Sequence, residues 1–416
     1  LILKGETIMS KVVEKFIKYI KYDTRSDENS TTIPTTPGQL ELAKELAKEL
    51  EDIGMKDIFI EKYGYLTATL PSNINTNVPV IGFIAHMDTS PQVLGANVNP
   101  KFVENYNGED IILNEEQNII LSPKNFPELK NYIGKTLITT DGTTLLGADN
   151  KAGIAEIMTA MEFLIQNPQI KHGTIKVAFT TDEEIGKIAE YFDVKKFKAD
   201  LAYTLDGGSI GELEYENFNA ASAAITIYGK SAHTGKAKGK MINSIRIAAE
   251  FMSMFPIEET PENTEEIEGF YHIVATNGKV EETKIQCLIR DFDEKNFQKR
   301  KEFIMDLVEN INIKYGEGIA TVEIIDQYRN MKEKIEAVKY VVDIAIEAMK
   351  ESNVFPNIQP LRGGTDGARL SYMGLPTPNM FCGGHNFHSK YEYISTYAME
   401  KAVEVILKIV ESYAEM

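Results

Sequence analysis

The sequence predicts an α/β protein: a layered main domain into which a smaller two-layer α+β domain is inserted. Three observations carry this prediction. Apolar runs of strand and helix period alternate over residues 57–205, the pattern of a layered α/β domain. Residues 217–327 read instead as strand, helix, strand, strand, helix, strand, a split βαβ order that suits a small two-layer unit. At 416 residues the chain is also too long for one compact core.

The elements follow in order. From Met9 to about Tyr22, Val12, Val13, Phe16, Ile17 and Ile20 recur at helical spacing, and Leu40 to Ile53 does the same with Gly54 as a stop. Strands are predicted at residues 57–61, 65–70 and 80–85, then an irregular stretch over 90–135. A helix at 153–165 and strands at 174–180 and 201–205 complete the alternation. In the insert, strands are predicted at 220–228, 270–276, 283–291 and 319–327, with helices at 242–254 and 294–313. Helical periodicity resumes after Met331. The main domain is therefore expected to comprise residues 9–216 and 328–416, interrupted by 217–327. LILKGETI before Met9 is too short and too charged for a secretory signal. Residues 1–8 are expected to be non-native, either translated upstream sequence or a vector-derived tail.

Composition excludes several functions. The 44 basic and 62 acidic side chains leave a net charge of −18, which repels nucleic acid and anionic membranes. No apolar run approaches the roughly 20 residues that span a bilayer. Two cysteines, Cys287 and Cys382, imply no disulfide framework and fit a reducing cytoplasm. Neither has the context of a nucleophile, so both read as packing thiols. RGGTDG lacks the spacing of a dinucleotide fingerprint.

The chemistry lies in a histidine and several acidic positions that end apolar runs. In PVIGFIAHMDTS, His86 and Asp88 are two apart and share one face of an extended chain. Asp149 in LLGADNKAG, Glu183 and Glu184 in VAFTTDEEIG and Asp206 in AYTLDGG also each open a polar or Gly-rich loop. That is where an open parallel sheet presents functional groups. His388 in GGHNFHSKYE is the last member. Each has a plain structural reading: a lone packing histidine, Asp149 as a helix N-cap, the Glu pair in a first helical turn, Asp206 in a turn. Together they offer nitrogen and oxygen donors suited to a metal site. Adjacent Glu183 and Glu184 point in different directions, so one can bind while the other stays free as a base.

HMDTSP, GADNKAGIAEIM, FTTDEEIG, LDGG, GKSAHTGKAKGKMIN, RGGTDGARLSYMGLPTPN and NFHSKYE, in that order, resemble the cocatalytic dizinc exopeptidases, the family that includes the tripeptide aminopeptidases. The resemblance runs from about Val12 to Val410. It implies a mixed-sheet zinc-exopeptidase catalytic domain with an inserted ferredoxin-like lid or dimerisation domain, and two zinc ions per subunit. It places His86 and Asp206 on one zinc, Glu184 and His388 on the other, and Asp149 between them. Glu183 becomes the general base and Asp88 the residue that orients His86. His233 in the insert matches a lid histidine that stabilises the oxyanion, and Arg362 a residue that grips a substrate carboxylate. The ligand role falls on the histidine before Ser-Lys-Tyr-Glu, which leaves His385 as a neighbour. The expected enzyme is a cytoplasmic aminopeptidase that releases the first residue of tripeptides, takes short peptide substrates and forms a homodimer through the lid. A dipeptidase, carboxypeptidase or N-acyl deacylase would use the same metal residues, and a non-catalytic binding protein would keep the fold without needing a free base.

Overall fold

A computed structural model of the chain describes residues 6–186 and 191–416, with side chains from Lys11 onward. The expected extension, residues 1–8, lies partly outside that range. The chain divides into two compact units, one formed by Leu1–Tyr215, Glu333–Gln359 and Thr365–Met416, the other by Glu216–Lys332 and Pro360–Gly364.

The first unit is built on a mixed eight-stranded sheet. Its order is Lys56–Ile60, Leu66–Leu70, Ile175–Thr180, Ile81–His86, Leu201–Gly207, Asn379–Phe381, Glu212–Glu214 and Asn357–Ile358. Four adjacent strands, from Ile175–Thr180 to Asn379–Phe381, run parallel. All six residues of Ile81–His86 are buried, as expected for a strand covered on both faces. On one face Ile84, Ala178 and Ala202 pack with Phe192, Phe197 and Leu370. On the other, Phe83 stacks on Tyr203, whose hydroxyl donates to the Val341 carbonyl at 2.7 Å and meets the Tyr413 hydroxyl at 3.1 Å. The helix Ala148–Gln166 lies against Ile81–His86 and Leu201–Gly207 and also packs against the helices Glu6–Tyr19 and Thr396–Ala414. A Cβ at Gly153 would sit 2.2 Å from the Leu205 carbonyl oxygen, so glycine is what lets this helix approach the sheet.

The helix Pro37–Ile53 starts on Pro at its first turn and stops at Gly54 in the left-handed conformation (φ 103°), where the Gly54 and Met55 N–H groups donate to the Glu51 and Leu50 carbonyls. Two expectations change. The stretch over 90–135 is not wholly irregular: it contains Lys101–Val103, Ile111–Asn114, Ile119–Leu121 and a 3-10 turn at Pro127–Tyr132. Strands of three or four residues are too short to show a period. The helix expected from residue 153 is preceded by a kinked turn from Ala148, in which Asp149 (φ −84°, ψ 105°) and Asn150 (φ −122°, ψ 32°) are not helical.

The second unit is a two-layer α+β sandwich. Its sheet order, Phe270–Lys279, Glu282–Asp291, Asn219–Tyr228, Ala320–Tyr328, is antiparallel throughout. Burial alternates along Glu282–Asp291, and its inward Ile285, Cys287 and Ile289 pack with Phe251 of the helix Ser244–Ser253 and Ile304 of Glu294–Tyr315. Asn243 and Asp293 cap these helices, accepting from the N–H groups of Ile245 and Asn296. Among the described residues no helix is long and apolar enough to cross a membrane.

Candidate metal centre

Three of the parallel strands deliver the site at their carboxyl ends. His86 closes Ile81–His86 in register with Thr180, from which the chain turns through Asp182 into a 3-10 turn at Glu183–Ile185. Asp206 lies near the end of Leu201–Gly207. His388 comes from the loop between the short strands Gly384–His385 and Tyr393–Ser395, in the left-handed region (φ 58°). Asp149 departs from the expectation that each acidic position ends a sheet strand. It sits in the kinked, non-helical turn (φ −84°, ψ 105°) at the start of the segment Ala148–Gln166, and Leu145 and Leu146 before it are apolar because they are buried, not because they form a strand.

Five residues converge. His86 Nε2 lies 2.9 Å from Asp149 Oδ1 and 3.2 Å from Asp206 Oδ1. His388 Nε2 lies 3.1 Å from Asp149 Oδ2 and 2.8 Å from Glu184 Oε2. Asp149 thus divides its two oxygens between the imidazoles, and each imidazole has one further carboxylate of its own. Donor atoms of His86, Asp149 and Glu184 all fall within 4.8 Å of one another.

Behind them Asp88, fully buried, ties the parts together. His86 Nδ1 meets its backbone oxygen at 3.1 Å and Oδ1 at 3.3 Å. With Nδ1–H directed there, Nε2 keeps its lone pair for a metal. The Asp88 carboxylate also accepts from the N–H groups of Glu183 at 3.0 Å and Glu184 at 3.1 Å, and from the Ser26 hydroxyl. One side chain therefore orients a histidine and the turn that bears both glutamates.

The electrostatics show what the cluster lacks. Burial pushes His86 down, but Asp206, Asp149 and Asp88 outweigh it and raise the ring well above its ordinary value. His388 is likewise pushed down by burial yet lifted to about 11 by Asp149 and Glu184. Burial and then Asp149 push Glu184 up to about 8, and its Oε1 is buried with no hydrogen-bond partner. Three carboxylates beside two imidazoles call for added positive charge, and an orphaned carboxylate oxygen supplies a donor for it. The set fits a divalent metal with nitrogen and oxygen preference. Glu183 is raised well above the carboxylate range by burial, then by Asp366, Asp206 and Glu184, which suits a group that must hold a proton.

The other expected residues belong to the second unit. His233 is exposed, and its Nδ1 accepts from the Gly235 N–H at 3.2 Å. Arg362 donates to the Glu266 and Glu268 carbonyls at 2.7 and 3.0 Å and to Thr264 Oγ1 at 2.9 Å, with its guanidinium over Phe218 and Phe270. In this conformation it braces the loop at residues 264–268. His385 is no part of the cluster: it bonds the Tyr132 hydroxyl at 2.6 Å and stacks on Tyr393.

Sequence reasoning missed three carboxylates. Asp182 accepts from the Thr35 N–H at 2.9 Å and Gln39 Nε2 at 2.7 Å, mooring the Glu183 turn. Asp366 accepts from the Thr180 hydroxyl at 3.2 Å, is pushed up to about 7 by burial and nearby Asp206, and raises Glu183 in turn. Glu392 accepts from three N–H groups around Asp149. Each stands inside or beside a motif, but only their partners, far away in sequence, mark them.

Residues 215–318 match the peptidase dimerisation domain of the M20 peptidases. Peptidase T of Clostridium novyi (strain NT) is 62% identical over 407 residues, covering 98% of this chain and 100% of that protein. The chain belongs to the peptidase T family. It is therefore an M20 metallopeptidase and a tripeptide aminopeptidase, which selects that reading over a dipeptidase, carboxypeptidase, deacylase or binding protein. Aminopeptidase PepT from Bacillus cereus ATCC 10987 shares the fold with a TM-score of 0.79 and 26% identity, covering 98% of this chain and 99% of that one. A dinuclear metal-binding M20 peptidase from Bacillus subtilis shares it at 0.66 and 14%, with 99% of each chain covered.

Proposed function

We propose that this tripeptide aminopeptidase works with two zinc ions per subunit, one held by His86 and Asp206, one by Glu184 and His388, with Asp149 common to both. The observation that carries the reading is the pairing itself: each imidazole Nε2 faces its own carboxylate and a different oxygen of Asp149. A dinuclear relative of the same fold supports the count. Bound there, a zinc pair supplies Lewis acidity and lowers the pKa of water toward neutrality.

The remaining work falls to the chain. Glu183 takes a proton from the water that attacks the first peptide carbonyl, and delivers it to the departing amine nitrogen as the carbon–nitrogen bond breaks. Asp88 holds the His86 ring and the Glu183 turn in one geometry. His233 donates to the developing oxyanion. Arg362 grips the carboxylate of the substrate by exchanging its Thr264 and Glu266 acceptors for that group. The dimerisation domain pairs two copies of the chain. Both cysteines are free and buried, which fits a cytoplasmic enzyme.

The test is hydrolysis of matched di-, tri- and tetrapeptides with free and blocked amino termini, before and after chelation and zinc return. Cleavage confined to free-amine tripeptides, lost with the chelator and restored by zinc, is expected. Full activity in the chelated enzyme would remove the metal from the mechanism.

A further inference from the structure

The helix Ala148–Gln166 is entered through a kinked turn in which Asp149 and Asn150 are not helical, and no side chain caps it from Gly147. Gly147 precedes it in the left-handed region (φ 86°) and contributes no side chain to accept from the first turn. The buried N–H groups of such a turn need acceptors, because the kink leaves them without helical partners. Here they come from Glu392. Its Oε2 accepts from the N–H groups of Leu146 at 2.6 Å and Gly147 at 2.9 Å, and its Oε1 from that of Asp149 at 3.1 Å, the last across 243 residues. The side chain is 1% exposed, so water does not compete for these bonds.

The position matters because Asp149 is the hub of the cluster. Its Oδ1 and Oδ2 lie 2.9 and 3.1 Å from two different imidazoles, and a small rotation of its backbone would carry both oxygens off target together. Glu392 follows His388 on the same stretch of chain, so one carboxylate couples the Asp149 turn to the segment that presents His388. Among the described residues only the Glu392 carboxylate accepts from all three of these N–H groups.

We propose that Glu392 is a positioning residue for the reaction, holding the Asp149 backbone so that its two oxygens stay divided between the metal positions. The inference rests on the reading of Asp149 as the shared ligand.

The test is zinc titration of metal-free wild type and Glu392→Gln against a competing chelator, alongside thermal unfolding of the metal-free proteins. Glutamine has the shape of glutamate but turns an NH₂ toward one set of N–H groups. Zinc affinity should fall by about ten- to a hundred-fold. The metal-free Tm should stay close to wild type, and kcat should fall with little change in KM. Unchanged zinc affinity overturns the proposal, as does a metal-free Tm lowered enough to account for the loss. If Glu392→Gln does not fold, Glu392→Asp, which keeps the charge but shortens the reach, should show the same weakened zinc binding. If neither folds, Glu392 is a general tether and the positioning role is rejected. A wild type that fails to take up two zinc ions would instead overturn the reading of the centre.

Discussion

Turnover should depend most steeply on Glu183, which has no part in the His86 and His388 pairings and is free to carry a proton. Glu183→Gln keeps the shape of the turn and removes the base. It should lower kcat roughly 10²–10⁴-fold with zinc content unchanged, measured by metal analysis beside steady-state kinetics. Hydrolysis at the wild-type rate would sink the proposed mechanism. Asp88→Ala acts differently, because it removes the carboxylate beside His86 Nδ1, leaving only the residue's backbone oxygen there, and takes the acceptor from two N–H groups. Zinc affinity should drop by about ten- to a hundred-fold in equilibrium dialysis, and an unaltered value would deny Asp88 its role. At this scale the residue types of the cluster were readable because histidine and carboxylates ended apolar runs inside recognisable motifs. Asp182, Asp366 and Glu392 were not, since their function lies in bonds to backbone and hydroxyl groups distant in the chain, which no local spacing records.

Elements were legible in proportion to their length. The helix Pro37–Ile53 and the alternating strand Glu282–Asp291 stand close to their predicted bounds because each repeats its period several times. The three-residue strands Lys101–Val103, Leu137–Thr139 and Tyr393–Ser395 exist only through pairing with one another and with Gly384–His385. That small sheet has a titration of its own. His385, held between Tyr132 and Tyr393, is pushed down to about 4 by burial. It is neutral in the fold but takes a proton in the unfolded chain below about pH 6.5, so its contribution is full above that pH and is lost as pH falls toward 4. The difference amounts to about 3 kcal/mol between the two limits. His385→Gln should flatten this acid limb in a pH series of thermal unfolding. Parallel curves for wild type and variant would show that His385 titrates normally.

At the scale of the molecule, the change of pattern near Asn217 announced the inserted unit, and the expected 217–327 lies close to Glu216–Lys332. The return of Pro360–Gly364 to that unit was not visible, because it is fixed by pairing of Leu361 with Asn217 and by the contacts of Arg362 rather than by any periodicity. The dimerisation domain leads to an expected mass in light scattering of about twice 46.6 kDa, and a monomer at high concentration would contradict pairing through it. The central claim is the division of five ligands between two metal positions. Anomalous diffraction from zinc-loaded crystals tests it most directly. Two peaks are predicted, one contacted by His86 and Asp206, the other by Glu184 and His388, each also touching one oxygen of Asp149. A single peak, or a pair that leaves Asp149 uncoordinated, would contradict the account.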